Sequence, residues 1–169
     1  AHGIQGVRYL WESTYPKAFE HDVMAFSQKF QVPGEFIWGI MRAESQYKKD
    51  VISPVGALGL MQVMPTTGQK ISEMIGEKSF QAQSLLEPPT AIKIGSRYLA
   101  RLMKKFDNSI PLAAAGYNAG PHRVKSWLVS FGERDMDEFI EHIPFVETRN
   151  YVKKVISNYV IYHQLYSFS

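Results

Sequence analysis

Three features of the sequence predict a mainly α-helical fold. Prolines stand just before or at the start of periodic segments, apolar residues recur three and four positions apart, and strict apolar–polar alternation is scarce. Pro16, Pro33, Pro65, Pro89, Pro111, Pro121 and Pro144 mark the starts, because a missing N–H does no harm in a helix's first turn. Helices are accordingly expected at 17–30, 34–46, 65–76, 89–106, 110–117, 121–131, 135–142 and 148–166. The last is the clearest, with Val152, Val155, Ile156, Tyr159, Val160 and His163 on one stripe. A short hairpin between helices stays open.

Two stretches do not read as plain helix. Residues 51–62 are apolar but broken by Pro54, Gly56 and Gly59, and glycine lets a backbone take unusual dihedrals or a ligand come close. Residues 115–121 end one helix and begin another. Partly apolar loops of this kind inside a compact domain tend to carry function.

At 169 residues the chain has the size of one domain. No repeat or long linker divides it, so a single domain 1–169 is expected, with a leading helical segment over 1–33 and a core over 34–169. Hydrophobic residues at 45% and charged residues at 21% exclude a disordered chain. With no cysteine, neither a disulfide framework nor a thiolate nucleophile or metal site is available. His2, His21, His122, His142 and His163 have no metal-ligand spacing and read as structural or surface residues. The expectation is therefore no metal and no cofactor. A net charge of +3 is too small and too evenly spread to argue for nucleic acid, and the Lys48-Lys49 and Lys104-Lys105 pairs read as solvated faces. No apolar run approaches the roughly 20 residues of a membrane helix. The opening Ala1-His2-Gly3-Ile4-Gln5-Gly6 lacks the charge and apolar pattern of a signal peptide, so a mature or excised domain is expected.

One carboxylate sits on the wrong face. Ile37, Ile40, Met41 and Glu44 lie at i, i+3, i+4 and i+7, which puts Glu44 on the apolar stripe of its helix. Desolvation there raises a carboxyl pKa, and a glutamic acid protonated near neutral pH can act as a general acid on a glycosidic oxygen. The plainer alternative is a glutamate that swings out near the helix end and pairs with Lys48.

Its neighbours form an ordered set. Glu44-Ser45 is followed by Ser53-Pro54-Val55-Gly56-Ala57, then Gly59-Leu60-Met61-Gln62-Val63-Met64-Pro65, then Gly116-Tyr117-Asn118-Ala119-Gly120. A closing block follows at Ile143-Pro144-Phe145-Val146-Glu147-Thr148-Arg149-Asn150-Tyr151-Val152. This set resembles the soluble, Slt-type lytic transglycosylases from about residue 35 onward; Gly116, where that family commonly has alanine, is the one departure. The resemblance implies a lysozyme-like α fold with a long sugar cleft. Its substrate would be the glycan strands of peptidoglycan, in the periplasm or cell envelope, acted on by a monomer.

In that family Glu44 would be the sole catalytic residue. It would protonate the oxygen between N-acetylmuramic acid and N-acetylglucosamine, then take the proton of the muramic C6 hydroxyl as this closes a 1,6-anhydro ring. Such substrate-assisted chemistry needs no second carboxylate. The resemblance makes Ser53, Gln62, Met64, Tyr117, Asn118, Glu147 and Tyr151 the substrate-binding residues. Ser53 would hydrogen-bond near Glu44, and Gln62 would offer its amide to N-acetyl groups. Met64 would pack on a sugar face and Tyr117 stand near the scissile bond. Asn118 would bind the sugar or the loop, while Glu147 and Tyr151 would position Glu44 and substrate. Read without the resemblance, these residues serve a turn, a solvated loop, the core or a helix N-terminus. Many members carry a large helical domain before the catalytic one, which is absent from this chain. Two rivals stay open: a goose-type lysozyme, which hydrolyses with one glutamate, and an inactive peptidoglycan-binding module.

Overall fold

The computed structural model describes residues 2–167, with side chains from residue 6. Among the described residues nine α-helices and one 3₁₀ turn follow one another: α1 (His2–Thr14), α2 (Glu20–Phe30), α3 (Gly34–Ser45), α4 (Pro65–Met74), the turn Ala82–Leu86, α5 (Pro88–Lys105), α6 (Ile110–Ala119), α7 (Pro121–Phe131), α8 (Met136–His142) and α9 (Val146–Tyr166). The mainly α expectation holds. Pro65, Pro88, Pro111 and Pro121 occupy first turns, and the Ser109 hydroxyl caps α6 by accepting from the Leu112 N–H. No helix among the described residues is long and apolar enough to cross a membrane.

Three local departures have local reasons. α2 begins at Glu20 rather than 17 because Phe19, with φ 53°, turns the chain left-handed just before it. α4 stops at Met74, since Ile75 leaves helical geometry and Gly76 adopts φ 79°. α1 lies in the leading helical segment expected over 1–33, but its bounds, like the 3₁₀ turn, were not among the helices expected individually. Among its described side chains α1 hides no apolar stripe: Val7, Tyr9, Leu10 and Trp11 stand exposed, and the helix is tied down by Arg8 Nη2 donating to Leu165 O at 3.2 Å. His2 lies outside the described side chains; His21, His122, His142 and His163 are exposed.

The core gathers around α3, α5, α6 and α9. α9 packs along both α3 and α6, and α5 packs on α2, α4 and α6. Phe36, Ile37, Ile40 and Met41 of α3, Ile92, Ile94 and Leu99 of α5, and Val152, Val155 and Tyr162 of α9 have no exposed surface. Burying a side chain of this size is worth about 1.5–3 kcal/mol. Gly39 lets α3 and α9 approach closely: the position of a Cβ there lies 3.5 Å from the Tyr159 N and Val155 O, and Asn158 Nδ2 donates to Gly39 O at 3.1 Å. That contact fixes where the end of α3 faces α9.

Between α3 and α4 the open hairpin takes a reduced form. Ile52 pairs with Leu58, and Leu58 with Val63, as isolated antiparallel bridges. Leu58 and Val63 exchange both backbone hydrogen bonds, at 3.1 and 3.2 Å.

Candidate active site

Glu44 occupies the last turn of α3, which ends as Gln46 and Tyr47 turn left-handed at φ 50° and 66°. The apolar stripe turns the half-buried Glu44 side chain inward, and the desolvation of its carboxyl pushes the pKa up to about 7. A hydrogen bond from Tyr151 Oη to Glu44 Oε1, 2.8 Å long, and the charge of Lys154 pull in the opposite direction; the charge of Glu147 adds to the rise. Desolvation dominates, so the alternative pairing with Lys48, which is exposed, is not what sets this carboxyl.

All three α9 residues come from one face. Glu147, Tyr151 and Lys154 follow at i, i+4 and i+7, and they bring an anion, a neutral donor and a cation to one carboxyl. Lys154 Nζ also donates to Ala43 O at 3.3 Å, next to Glu44. From α6, Tyr117 Oη donates to Met61 O at 2.7 Å, and its phenol is held far above the usual range by burial and by the charge of Glu44. The Tyr151 phenol is raised in the same way. Both tyrosines are therefore neutral donors, Tyr151 to the carboxyl itself and Tyr117 to the Met61 carbonyl within reach of its charge.

The loop before α4 is pinned to this cluster from three sides. Ser45, 6% exposed, holds its Oγ 2.8 Å from Leu60 O and 3.1 Å from Met41 O and shares one proton between them. Gln62 takes φ 46°, unfavourable for a side-chain-bearing residue, and its Nε2 donates to Val51 O at 3.0 Å and Gly59 O at 2.9 Å. Both amide protons are thus spent on the loop, which leaves the carbonyl oxygen for a ligand. Tyr117 clamps Met61 from the third side.

The other expected residues are spread around this centre. Ser53 Oγ accepts the Ala57 N–H at 3.0 Å and closes the turn 53–57; no hydrogen bond joins it to Glu44 among the described residues. Met64 precedes α4 and is 39% exposed, so it is no core methionine. Asn118 Oδ1 accepts from the buried Thr148 Oγ1 at 2.7 Å, which locks α6 to the start of α9. Glu147 itself is exposed in the first turn of α9. Ser45, Thr148 and Lys154 were missed. Ser45 and Lys154 carried a signal: one follows Glu44 directly, and the other sits at helical spacing from Tyr151 and Glu147. Among the described residues no three of His, Asp and Glu come together as a metal site requires.

Residues 23–140, from within α2 to α8, match the transglycosylase SLT domain. The chain belongs to that family. Residues 142–167, mostly α9, match the soluble lytic transglycosylase helical domain. The SLT domain is 39% identical over 153 residues to the soluble lytic murein transglycosylase of Escherichia coli K12, covering 88% of this chain and 24% of that protein. The Salmonella typhimurium protein of the same name is 40% identical over equal shares. This chain thus spans about a quarter of the curated relatives it matches. Among solved structures, the 70-kDa soluble lytic transglycosylase of Escherichia coli superposes with a TM-score of 0.87 at 38% identity, covering 91% of this chain and 25% of that one. An inactive glutamate-to-glutamine mutant of the lytic transglycosylase Slt from Pseudomonas aeruginosa gives 0.86 at 37%, with 90% and 25% covered. A complex of the 70-kDa enzyme with bulgecin A gives 0.88 at 37%, with 91% and 25% covered.

Proposed function

We propose that this SLT domain is a peptidoglycan lytic transglycosylase that cuts the bond between N-acetylmuramic acid and N-acetylglucosamine with Glu44 as both acid and base. One observation carries the proposal: a single carboxyl, buried to a pKa of about 7 and steadied by the Tyr151 hydroxyl at 2.8 Å. A group poised there is able both to give and to recover a proton near neutral pH. Family membership and the murein transglycosylases among its relatives supply the substrate class. A glutamate-to-glutamine exchange that leaves the Pseudomonas relative inactive supports a decisive role for one carboxyl.

In the proposed reaction, protonated Glu44 gives its proton to the glycosidic oxygen as the bond from muramic C1 breaks. The substrate's own N-acetyl carbonyl stabilises the positive charge at C1. The C6 hydroxyl then attacks C1, its proton passes to the Glu44 carboxylate, and the 1,6-anhydro ring closes with no water consumed. The enzyme ends as it began. Tyr151 supports the ionised stage by donating to Oε1, while Tyr117 and Gln62 hold the loop that forms the wall. Ser53, Met64, Asn118 and Glu147 complete the substrate contacts, and the monomer works on glycan strands in the periplasm or cell envelope.

Digestion of purified sacculi followed by mass spectrometry tests this. Anhydro ends are expected; reducing ends one water heavier would make the domain a hydrolase, with exposed Glu147 placed to activate water. Glu44→Gln should lose about 10²–10⁴-fold in rate, the usual worth of acid catalysis. Sacculi cleared at the parent rate by that variant would remove Glu44 from the mechanism.

A further inference from the structure

One cation near Glu44 has no carboxylate in direct contact among the described residues. Lys17, Lys93, Lys153, Arg8 and Arg134 each have one within reach, and Lys153 turns to Glu141 at 2.5 Å. Its neighbour Lys154 instead lays its ammonium on the end of α3, where Nζ donates to Ala43 O at 3.3 Å. The last carbonyls of a helix lack partners within it. In α3 the Gln46 N–H supplies Arg42 O at 3.2 Å and the Lys48 N–H supplies Ser45 O at 3.1 Å, while Ala43 O is supplied from α9. A cation there also meets the negative end of the helix dipole. The ammonium is thus held one residue before Glu44 by the fold itself.

The surroundings leave that charge unspent. A cavity of about 240 Å³ beside Lys154 is lined by Tyr15, Arg42, Gln46, Ser157 and Asn158, with no carboxylate among them. Arg42 stacks on the ring of Tyr15, 4.1 Å from its centroid. α6 presents the neutral phenol of Tyr117 to Glu44, and α9 presents the neutral phenol of Tyr151. α2 and α5 also pack on α3, but the charges that bear on Glu44 are those of Lys154 and, with opposite sign, Glu147. Glu147 lies seven positions before Lys154, about 10 Å along the axis of α9, so the two flank the carboxyl without pairing.

We propose that Lys154 is a positioning residue of the lytic reaction: fixed on the Ala43 carbonyl, its ammonium steadies Glu44 as a carboxylate until the C6 hydroxyl proton arrives. The proposal rests on the reading of Glu44 as acid and base and adds a residue to it. When Glu44 gives its proton to the glycosidic oxygen, a negative charge appears in a desolvated place. Tyr151 meets it with a hydrogen bond, and Lys154 meets it with a positive charge. Glu147 pulls the other way and favours the protonated stage, so one face of α9 balances the two halves of the cycle. Contact matters here. A lysine bonded to the carboxyl itself would hold it ionised and leave no acid near neutral pH. Bonded to Ala43 O, Lys154 favours the charge without occupying an oxygen that the substrate must reach.

The test compares the parent with Lys154→Met, which removes the charge, and Lys154→Arg, which keeps it. Lys154 is exposed, so both variants keep the fold. The pH–rate profile on purified sacculi is measured for each, and Glu44 is titrated by carbon-13 NMR of labelled glutamate carboxyls, its signal assigned by its loss in Glu44→Gln. In Lys154→Met the Glu44 midpoint and the alkaline limb should both rise by about half a pH unit, the scale of one exposed charge. Its kcat should fall by up to about threefold with KM unchanged, because Lys154 touches no substrate. Lys154→Arg should return all of these to the parent's values, and Glu147→Gln should move the midpoint the opposite way. A lysine that merely tied α9 to α3 would lower kcat without moving the midpoint. A midpoint unmoved in Lys154→Met, or moved as far in Lys154→Arg, would overturn the assignment. A parent that cuts no glycan would sink the lytic reading instead; the NMR midpoint, which needs no substrate, would still decide whether Lys154 acts on Glu44.

Discussion

Burying Glu44 should weaken the folded state above neutral pH, and Glu44→Gln should recover that loss. The carboxyl titrates near 4.5 when unperturbed and at about 7 in the fold. Between those values the folded chain holds a proton that the unfolded chain releases, so stability falls as pH rises through the window. The penalty is absent below about 4.5 and complete above about 7. At about 1.4 kcal/mol per pH unit, the gap amounts to an upper limit of about 3 kcal/mol. Glutamine is neutral throughout, has nearly the same shape, and its Oε1 can still accept the Tyr151 hydroxyl. The variant should therefore match the parent at pH 4 and exceed it by about 2–3 kcal/mol at pH 8. Urea unfolding of both proteins at the two pH values measures this directly, and the difference between proteins cancels every other titrating group. A stability difference equal at pH 4 and pH 8 would refute the reasoning, because the carboxyl would then titrate as if in water.

Two further outcomes follow from the same geometry. Tyr151→Phe removes the hydroxyl that donates to Oε1, so the Glu44 pKa should climb further; since activity needs the protonated acid, the alkaline limb of the pH–rate profile should move up by about one pH unit while the maximum rate falls. A limb that stays put or moves to acid would show that the hydroxyl does not act on Glu44. Ser45→Ala should cost about 1–2 kcal/mol in urea unfolding, the worth of a buried hydroxyl and its stranded carbonyl partner, and should lower the lytic rate by loosening the loop at Leu60. Unchanged stability would mean that Leu60 O finds another donor.

Much of the fold was legible because helix starts are local events. Pro65, Pro111 and Pro121 announce α4, α6 and α7 without help from the rest of the chain. The bounds of α1 were illegible for the converse reason: Val7, Tyr9, Leu10 and Trp11 are exposed, so no buried stripe among its described side chains marks where the helix runs. The anomaly of Glu44 was equally local, since the spacing Ile37, Ile40, Met41, Glu44 is enough to place it inward. Its partners were not local. Tyr151 lies 107 positions away, and only resemblance to a known set of motifs pointed to it. Gln62 shows the limit of such resemblance, because a motif names a residue but not where its protons go; here both amide protons hold the loop. Lys154 lies just past the closing block and belongs to no motif, and only folding sets its ammonium on the Ala43 carbonyl beside Glu44.

The glycines of the 51–62 stretch illustrate the same division, and they separate by experiment. Sequence marks Gly56 and Gly59 alike as places for unusual dihedrals or close approach. Both adopt left-handed backbone, φ 90° and 76°. Alanine at either should cost about 1 kcal/mol for that conformation alone. Only Gly59 also faces a close neighbour: a Cβ there would overlap the carbonyl oxygen of Leu85, whereas nothing lies within 4 Å of one at Gly56. Leu85 is fully buried in the 3₁₀ turn, so its backbone cannot step aside cheaply. Overpacking of this kind typically adds about 1–3 kcal/mol. The loop is the part left to move, and Gly59 O is one of the two carbonyls that hold Gln62. A shifted Gly59 displaces Gln62 and Met61, and with Met61 the carbonyl that Tyr117 grips beside Glu44. Gly59→Ala should therefore lose about 2–4 kcal/mol in urea unfolding and most of its lytic rate, while Gly56→Ala loses about 1 kcal/mol and stays close to the parent rate. Equal losses for the two variants would mean that the contact with Leu85 constrains neither the loop nor the site.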